Sequence, residues 1–290
     1  MFEEHAEFFQ CPLCSRPVGV LHPRSLVCSR GHRFDFARNG YINLVARPVR
    51  SGVYTRQMFS SRQALHRRGF FQPLIDALAE LSTGWMWMLP ASVIFDAGCG
   101  DGSNLAALTE VLRRAGHDCT AIGMDLSKEA VYLAAREYPG SMWCAADLAR
   151  CPLTSYSIDL ILNILSPSSY REFQRLLKPG GLLLKVIPNA GHLRELRQVI
   201  ETKAPGEYSN AQVRERFAGN FPLITERRVR YVRELEDDEY ALLAAMTPLA
   251  ADQEWDAIAA EMQSAAASVT FDMTVLVGRR SCEKANSGRE

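Results

Sequence analysis

The sequence predicts an α/β protein that combines a doubly wound sheet with a small N-terminal metal-binding domain, and three observations support this prediction. In Val93–Gly102, an apolar run ends in an acid and three glycines follow at alternate positions. A helical pattern comes next, with Leu105, Leu108 and Leu112 on one face. About one strand and one helix later, a second apolar run, Thr120–Asp125, also ends in a carboxylate. Closely spaced cysteines precede both runs, which indicates a separate metal-binding segment.

The N-terminal segment holds two close pairs of candidate metal ligands, Cys11 with Cys14 and Cys28 with His32, separated by thirteen residues. Two such pairs across a short hairpin are typical of a structural zinc site with Cys₃His ligation. Zinc would stabilise a segment that is too short to bury a core of its own. The alternative is a set of unrelated thiols and a loop histidine. The other five cysteines show no ligand spacing and are expected in strands, loops or the tail.

The formal net charge is zero, but the arginines are unevenly distributed. Residues 8–72 contain eleven arginines and a single acid, Asp35, whereas residues 73–290 are net acidic. A basic segment of this kind is expected where a protein binds phosphate groups, and Arg suits bidentate phosphate contacts. In Arg33–Leu44, aromatic residues alternate with Arg, Asn and Gly, a mixture that stacks bases or forms a miniature core beside a metal. The alternative for the arginines is a solvated surface.

Asp96 precedes the three glycines of the turn, Gly98, Gly100 and Gly102, and Asp101 lies between the last two. A dinucleotide-binding turn has the spacing G-x-G-x-x-G, and carboxylates beside the turn would repel a pyrophosphate. A cationic ligand without phosphate fits this charge better. The pattern D-x-G-x-G-x-G resembles the first motif of class I S-adenosylmethionine (SAM) methyltransferases, and this resemblance assigns the five residues to the cofactor. A structural turn in another α/β protein is the alternative.

Asp125 ends the second apolar run, where a Rossmann-like sheet contacts ribose hydroxyls and one carboxylate can accept from both. A capping role for Asp125 is the alternative, but Ser127 is the better N-cap for a helix over Lys128–Tyr138. Asp147 follows a third short strand, where the same resemblance implies a contact with the adenine. The glycine turn and these two aspartates together predict a SAM site.

The following stretch predicts the second half of the sheet. Ile158–Asn163 is a buried-strand run, Leu182–Ile187 is a fifth strand, and two further strands are expected near the C-terminus. Ser169 and Glu172 predict a capping box for the helix between the two runs. A doubly wound α/β domain follows from this alternation of strands and helices.

Several motifs of the chain are shared with one family. They are C-P-x-C at Cys11, C-x-x-x-H-x-F-D-x-A-x-x-G-Y-x-N-L from Cys28 and D-x-G-C-G-x-G from Asp96, followed by Leu177–Gly181 and Met246–Pro248. Together they resemble the zinc-containing 23S rRNA (guanine-N1)-methyltransferases. The resemblance covers nearly the whole chain and is closer to the Gram-positive, tylosin-resistance-type branch.

The resemblance implies that the chain binds zinc and SAM and methylates N1 of a specific guanine in a domain II hairpin of 23S rRNA. It also implies cofactor contacts for Phe71 and His192, although the family often has Tyr in place of Phe71 and commonly Glu in place of Asp101. The loop Asn163–Pro167 would present the target base. Because this loop holds no strong base, we assign no catalytic residue.

We therefore expect four parts: a zinc-binding, RNA-recognition domain over 1–44, a linker over 45–56, a SAM-dependent methyltransferase domain over 57–280 and a disordered tail over 281–290. The linker is rich in Arg and holds one Pro and one Gly, and the tail is polar.

Two other function classes stay open at this point: a small-molecule SAM-dependent methyltransferase and a non-catalytic RNA-binding protein. No apolar run reaches the ~20 residues that span a bilayer. Met1–Gln10 is acidic and lacks the apolar core of a signal peptide. We expect a cytoplasmic protein with reduced cysteines, with 23S rRNA as its partner, no membrane contact and, as an open alternative, a homodimer.

Overall fold

The computed structural model describes residues 1–21, 24–46, 54–86, 91–200, 208–250 and 254–281. A three-stranded antiparallel sheet lies near the N-terminus, and a large mixed sheet forms the centre of the protein. The strands are β1 (Val18–Leu21), β2 (Ser25–Cys28), β3 (Arg33–Asp35), β4 (Tyr41–Asn43), β5 (Ser92–Ala97), β6 (Cys119–Asp125), β7 (Met142–Ala145), β8 (Ile158–Ile164), β9 (Leu177–Pro188), β10 (Leu223–Glu234) and β11 (Ser268–Arg279).

Helices connect and cover these strands, and local capping explains where two of them begin. Thr55 accepts a hydrogen bond from the Met58 N–H and so caps α1. Ser127 accepts from the Ala130 N–H, which confirms it as the cap of α4. The helices are α1 (Arg56–Arg67), α2 (Gln72–Met86), α3 (Ser103–Arg114), α4 (Lys128–Glu137), α5 (Tyr170–Leu176), α6 (Arg194–Ile200), α7 (Ala211–Ala218), α8 (Glu239–Ala245) and α9 (Trp255–Ala265).

The large sheet has the strand order β10-β11-β9-β8-β5-β6-β7-β4. Neighbours from β9 to β4 are parallel, whereas β11 runs antiparallel to both β9 and β10. The chain moves outward from β5 through β6 to β7 and then returns to the other side of β5 at β8. This reversal is the topological switch point of a doubly wound sheet, and ligands bind outside the strand carboxyl ends at such a point. The predicted fold class is confirmed.

Strands β5 and β8 are buried along their whole length, which shows that both faces of the sheet are covered there. Ile94 packs in one hydrophobic cluster with Leu105, Leu108 and Leu112, the predicted apolar face of α3. Phe95, the next residue of the strand, packs in a second cluster. Alternate residues of a strand point to opposite faces, so the two clusters are the two layers of core that hold β5 in place.

The N-terminal segment is part of this architecture. Its apolar residues Phe9, Leu26 and Ile42 belong to the same cluster as Phe95. Strand β4 pairs in parallel with β7, and the N–H of Leu44 donates to the Ala145 carbonyl at 2.8 Å. Residues that we assign to the zinc-binding domain therefore provide the last strand of the large sheet.

The predicted capping box at the start of α5 is wrong, because Ser169 makes no cap hydrogen bond. Glu172 instead accepts a hydrogen bond from the Cys151 N–H at 3.1 Å and forms an ion pair with Arg175 at 2.6 Å. Most of the linker, residues 47–53, and the tail from residue 282 lie outside the described residues, so the domain boundaries stay predictions. Within the described ranges, each helix is too short or too polar to cross a bilayer.

Candidate metal site and candidate active site

The four predicted zinc ligands meet at the N-terminal sheet, where their ligand atoms lie within 4.8 Å of one another. Cys14 Sγ lies 3.7 Å from Cys28 Sγ, and His32 Nδ1 lies 3.3 Å from Cys11 Sγ and 3.5 Å from Cys28 Sγ. In a tetrahedral zinc site with bonds of about 2.0–2.3 Å, neighbouring ligand atoms are about 3.5–3.8 Å apart. The geometry of these side chains therefore fits a zinc ion.

Two similar backbone turns hold these side chains. The Cys11 carbonyl accepts from the Ser15 N–H at 2.8 Å, and the Cys28 carbonyl accepts from the Gly31 N–H at 2.8 Å. Burial raises the pKa of the Cys11 thiol to about 11. At Cys28 burial acts in the same direction, but N–H donors from the Arg30–His32 turn outweigh it and lower the pKa to about 6. Zinc binds cysteine as the thiolate, so a bound zinc ion would favour the charged form of Cys11 against the effect of burial.

The glycine turn after β5 requires its glycines. Gly98, Gly100 and Gly102 have φ values of +85°, +54° and +81°, a region that other residues rarely adopt. A Cβ on Gly98 would lie 1.9 Å from Ser166 Oγ, and a Cβ on Gly102 would lie 2.6 Å from the Trp143 ring. The turn therefore brings bare backbone next to the loop that follows β8, at the switch point of the sheet.

Asp96 is a buried carboxylate at the base of this turn. It is 1% exposed, and its Oδ1 has no hydrogen-bond partner among the described residues. Burial, together with the charges of Asp125 and Asp101, raises its pKa to about 8. An unpaired acid in this position suits a ligand that carries positive charge.

Asp125 holds the turn in shape. Its Oδ2 accepts from the Gly100 N–H at 2.9 Å, and its Oδ1 accepts from the Ser127 N–H at 2.8 Å. Burial raises the pKa of Asp125 although both N–H groups favour the charged form. Asp101 has a different local role, since its Oδ1 accepts from both the N–H and the hydroxyl of Ser103 at the start of α3. These acids thus order the backbone on which a cofactor would lie.

Phe71 and His192, which are distant in sequence, are brought together by a shared partner. Their rings lie 5.6 and 5.8 Å from the ring of Phe271 on β11. Burial lowers the pKa of His192 to about 4, so its imidazole is neutral at physiological pH, and its Nδ1 accepts from the Asp272 N–H at 3.3 Å. Both side chains are buried.

Asp147 lies apart from these rings, at the end of β7. Its Oδ1 accepts from the Ala149 N–H at 2.8 Å and caps a short 3₁₀ helix. The next residue, Leu148, reaches within 3.9 Å of the position that a Cβ on Gly98 would take. The structure therefore puts Asp147 beside the glycine turn.

Helix α1 covers the glycine turn, which the sequence did not reveal. The Arg62 guanidinium lies 3.5 Å from the position of a Cβ on Gly100, and its charge lowers the pKa of Asp125 against the larger effect of burial. Gln63 donates to the Asp101 carbonyl at 3.4 Å. No sequence motif marks α1. A sequence signal was available in Gln63, a polar residue among the apolar positions of an amphipathic helix, which is buried in the structure.

A second contact that sequence analysis missed lies under the loop after β8. Asn163 donates through Nδ2 to the carbonyls of Ala97 at 2.9 Å and Pro167 at 3.1 Å. Lys185 on β9 donates to Asn163 Oδ1 at 2.7 Å and to the Ser166 carbonyl at 3.2 Å. Lys185 is 5% exposed, and burial lowers its pKa to about 8. This buried cation fixes the amide orientation of Asn163 and ties the loop to the glycine turn.

Comparison with known proteins identifies the family. A family described as "RlmA, N-terminal", a zinc ribbon, matches residues 9–51, and a methyltransferase-domain family matches residues 94–181. The Bacillus subtilis (strain 168) protein YxjB, whose name assigns it provisionally to the 23S rRNA (guanine-N(1)-)-methyltransferases, is 39% identical over 94% of this chain and 97% of its own. The 23S rRNA (guanine(748)-N(1))-methyltransferase of Streptomyces fradiae is 32% identical over 87% of this chain and 89% of its own.

A third relative shows how far the similarity to other methyltransferases extends. The malonyl-[acyl-carrier protein] O-methyltransferase of Herminiimonas arsenicoxydans is 35% identical, but over 44% of this chain and 48% of its own. The match over nearly the whole length, zinc ribbon included, is thus to the rRNA enzymes, and both of those relatives come from Gram-positive bacteria. The chain belongs to the family of zinc-containing, SAM-dependent 23S rRNA (guanine-N1)-methyltransferases.

Proposed function

We propose that this protein transfers a methyl group from SAM to N1 of one guanine in a domain II hairpin of 23S rRNA. One observation carries the proposal: a zinc ribbon joins, through β4, the sheet that carries the glycine-turn cleft, in a chain that matches 89% of a relative named 23S rRNA (guanine(748)-N(1))-methyltransferase. Because that substrate is ribosomal RNA, the protein would act in the cytoplasm. A homodimer stays a prediction.

The zinc ion would be held by Cys11, Cys14, Cys28 and His32. Three of the distances between their ligand atoms are 3.3–3.7 Å and all are within 4.8 Å, which together with the three thiol donors suits structural zinc, and four protein ligands leave no open position for a substrate. In this proposal zinc shapes the ribbon and takes no part in methyl transfer.

The cofactor would lie on the backbone of Gly98, Gly100 and Gly102, where a Cβ at the first or last position would collide with neighbours. SAM supplies an already activated methyl group on a sulfonium. The free Oδ1 of Asp96 fits the positive charge of its methionine part, and Asp125 would accept from the ribose hydroxyls.

Four further residues would complete the cofactor site. Asp147, which follows β7, would contact the adenine. Phe71 and His192 would close the cleft over the cofactor. Asp101 would act through the backbone, since its carboxylate is engaged with Ser103. A neutral His192 avoids repulsion of a cationic cofactor.

The protein's task in the reaction is alignment of the guanine with the methyl group and exclusion of water. The loop Asn163–Pro167 would place the base against Gly98, because Ser166 already contacts that position. The amide of Asn163 is fully used within the protein, so the Ser166 hydroxyl and loop backbone would meet the base. Guanine N1 must lose a proton, and no strong base stands at this loop.

The test compares rRNA from a strain that lacks the gene with rRNA from complemented strains. Methylation of N1 blocks the pairing edge of guanine, so primer extension should stop at one guanine in the wild type and read through in the deletion. Wild-type protein and the surface control Asp118→Ala should restore the stop, whereas Asp125→Ala should not. If no stop at a guanine disappears in the deletion strain, the proposed function is wrong.

A small-molecule methyltransferase and a non-catalytic RNA-binding protein predict other results. The first would leave rRNA unchanged but still bind SAM in calorimetry, and the second would leave rRNA unchanged and bind no SAM. The zinc ribbon match argues against the first alternative, and the intact glycine turn argues against the second.

A further inference from the structure

A polar groove of about 410 Å³ lies between the zinc ribbon and the α/β domain. One wall is the turn that carries the first zinc ligands, and the other comes from the segments after β7 and β8. The residues that line the groove include Pro12, Ser15, Arg150, Ser169, Arg171 and Arg175.

The groove carries uncompensated positive charge. Arg175 is internally committed, since it pairs with Glu172 at 2.6 Å and donates to the Leu153 carbonyl at 2.7 Å. Arg150 and Arg171 are exposed, and their guanidinium groups make no hydrogen bond or ion pair with any residue in the described part of the chain. Glu172, the acid of the groove, is thus already paired, whereas the guanidinium groups of Arg150 and Arg171 have no partner among the described residues.

The groove leads to the candidate cofactor cleft. Arg150 ends the 3₁₀ helix that begins with Leu148, and Leu148 lies beside Gly98. Ser169 lies two residues after the end of the loop that would present the target base, and Ser166 of that loop also lies against Gly98. A strand bound in the groove would therefore pass the cleft within reach of a flipped base.

Backbone contacts fix the zinc ribbon on this side of the sheet. The N–H of Gln10 donates to the Pro152 carbonyl at 2.9 Å, and Phe9 forms an antiparallel bridge with Leu153. The two walls of the groove are consequently held at a defined separation rather than joined by a loose connection.

We propose that this groove binds the sugar–phosphate backbone of the substrate RNA, with Arg150 and Arg171 each paired to a phosphate. The inference rests on the proposed function and adds the surface that would hold the strand. A guanidinium group matches a phosphate with two parallel hydrogen bonds, and the serines of the rim add donors. An acidic protein segment is the competing partner, but only an RNA strand accounts for the path from the groove to the cleft.

The experiment uses the full chain with Arg150→Gln and Arg171→Gln combined. Binding of a 23S rRNA domain II hairpin is measured over a series of salt concentrations, and SAM affinity is measured by calorimetry. The double variant should bind the hairpin ~10–100-fold more weakly at 0.1 M salt. The plot of log affinity against log salt should become shallower by about one to two, since each lost phosphate contact removes ~0.7–0.9 from its slope. SAM affinity should not change.

A matched control is Arg114→Gln with Arg136→Gln, because these arginines lie in the last turns of α3 and α4, and helices that connect parallel strands end near the amino ends of the strands, away from the cleft. This control removes the same charge and should leave the salt dependence of hairpin binding as it is in the wild type. Equal losses in both double variants would overturn the groove assignment, since net charge alone would explain them.

The outcomes also separate the two proposals. If the wild type methylates the hairpin and the double variant binds it with unchanged affinity and slope, the groove inference is wrong and the proposed function stands. If that variant instead loses binding of polyglutamate, the groove serves an acidic protein partner. A wild type that neither binds nor methylates the hairpin contradicts both, and a loss of SAM affinity in the variant would show a structural role for these arginines.

Discussion

In the zinc ribbon, four ligand atoms lie within 4.8 Å of one another and three short strands surround them. The cofactor cleft is built differently, at the carboxyl ends of long strands that are buried on both faces. Apolar residues of the ribbon, such as Phe9, Leu26 and Ile42, pack into the same hydrophobic cluster as Phe95 of the large sheet. The cleft, by contrast, already has its turn, its acids and its covering helix in place.

This difference teaches which part of each site depends on its ligand. Zinc binding free energy is largely folding free energy in a segment of this size, so the ribbon needs its metal to keep its shape. The cleft is held by core packing and by hydrogen bonds such as the one from the Gly100 N–H to Asp125. Its ligand therefore meets a prepared surface that includes Asp96, whose Oδ1 has no hydrogen-bond partner among the residues that the structure describes.

The largest expected effect is the loss of zinc from the variant with Cys11→Ser and Cys28→Ser. Metal content should fall from one zinc per chain to near zero, since structural zinc binds with an apparent ~10–16 kcal/mol that a site without two of its ligands cannot provide. Hydrogen exchange should show lost protection in β1–β3. Strand β4 should stay protected, because its partner is β7 and not the metal.

The control for that variant is Cys119→Ser, which changes a buried cysteine far from the ribbon and should retain zinc. SAM affinity of the zinc-free protein should match the wild type. Lost protection in β7, or lost SAM binding, would show that ribbon and cleft are not organised as differently as we argue.

The next largest effect is expected from Gly98→Ala. Its Cβ would meet Ser166 Oγ at 1.9 Å on a backbone with φ of +85°, so both the turn and the neighbouring loop must shift. SAM binding should fall below detection in calorimetry while zinc content is kept. The matched variant Gly140→Ala, where the added Cβ meets nothing within 4 Å, should bind SAM normally. Normal binding by both variants would mean that the turn adapts to its ligand.

Asp125→Ala should have a smaller effect, because the turn keeps its glycines. Hydrogen bonds to a charged acceptor contribute about 1.5–3 kcal/mol each, so losing two ribose contacts should weaken SAM binding at least ~100-fold. Asp125→Asn keeps one acceptor oxygen for the Gly100 N–H and should lose less. If the folded Asp125→Ala protein binds SAM as tightly as the wild type does, the ribose is held elsewhere.

The last prediction concerns the pH dependence of stability at Asp96 and not the binding of a ligand. Its pKa is raised from 3.8 to about 8, so the folded protein keeps a proton that the unfolded chain releases. The free energy of unfolding should fall as pH rises from about 4 to about 8, by up to ~1.4 kcal/mol per pH unit, and level off above that range. Asp96→Asn should remove this fall. Urea unfolding of both proteins between pH 5 and pH 9 measures it, and parallel profiles would exclude Asp96 as the source.

The sequence predicted the parts of both sites that depend on local spacing. The zinc ligands are such a case, because each pair lies within one tight turn, and so are the three glycines, whose alternate positions match positive φ values. Ser127 was correctly distinguished from Asp125 as the cap of α4, because capping depends on the adjacent turn.

Contacts between distant segments were beyond this reasoning. Arg62 and Gln63 on α1 carry no motif, and their position over the glycine turn follows only from how α1 packs. The pairing of Lys185 with Asn163 joins two strands whose sequences read as plain buried runs. The predicted capping box is wrong for a related reason. Glu172 forms an ion pair with Arg175 and accepts a hydrogen bond from the Cys151 N–H, which lies on a distant segment of the chain.

The position of β4 at the edge of the large sheet has a consequence for synthesis on the ribosome. Its partner residues, Trp143 to Ala145, lie about one hundred residues further along the chain. At ~5–20 residues per second, β4 emerges several seconds to about twenty seconds before β7 exists to receive it. During that interval β4 has no sheet to join, whereas the metal can already order β1–β3. The N-terminal segment therefore folds in two stages: its metal site can form early, and its last strand joins the large sheet only after β7 has been made.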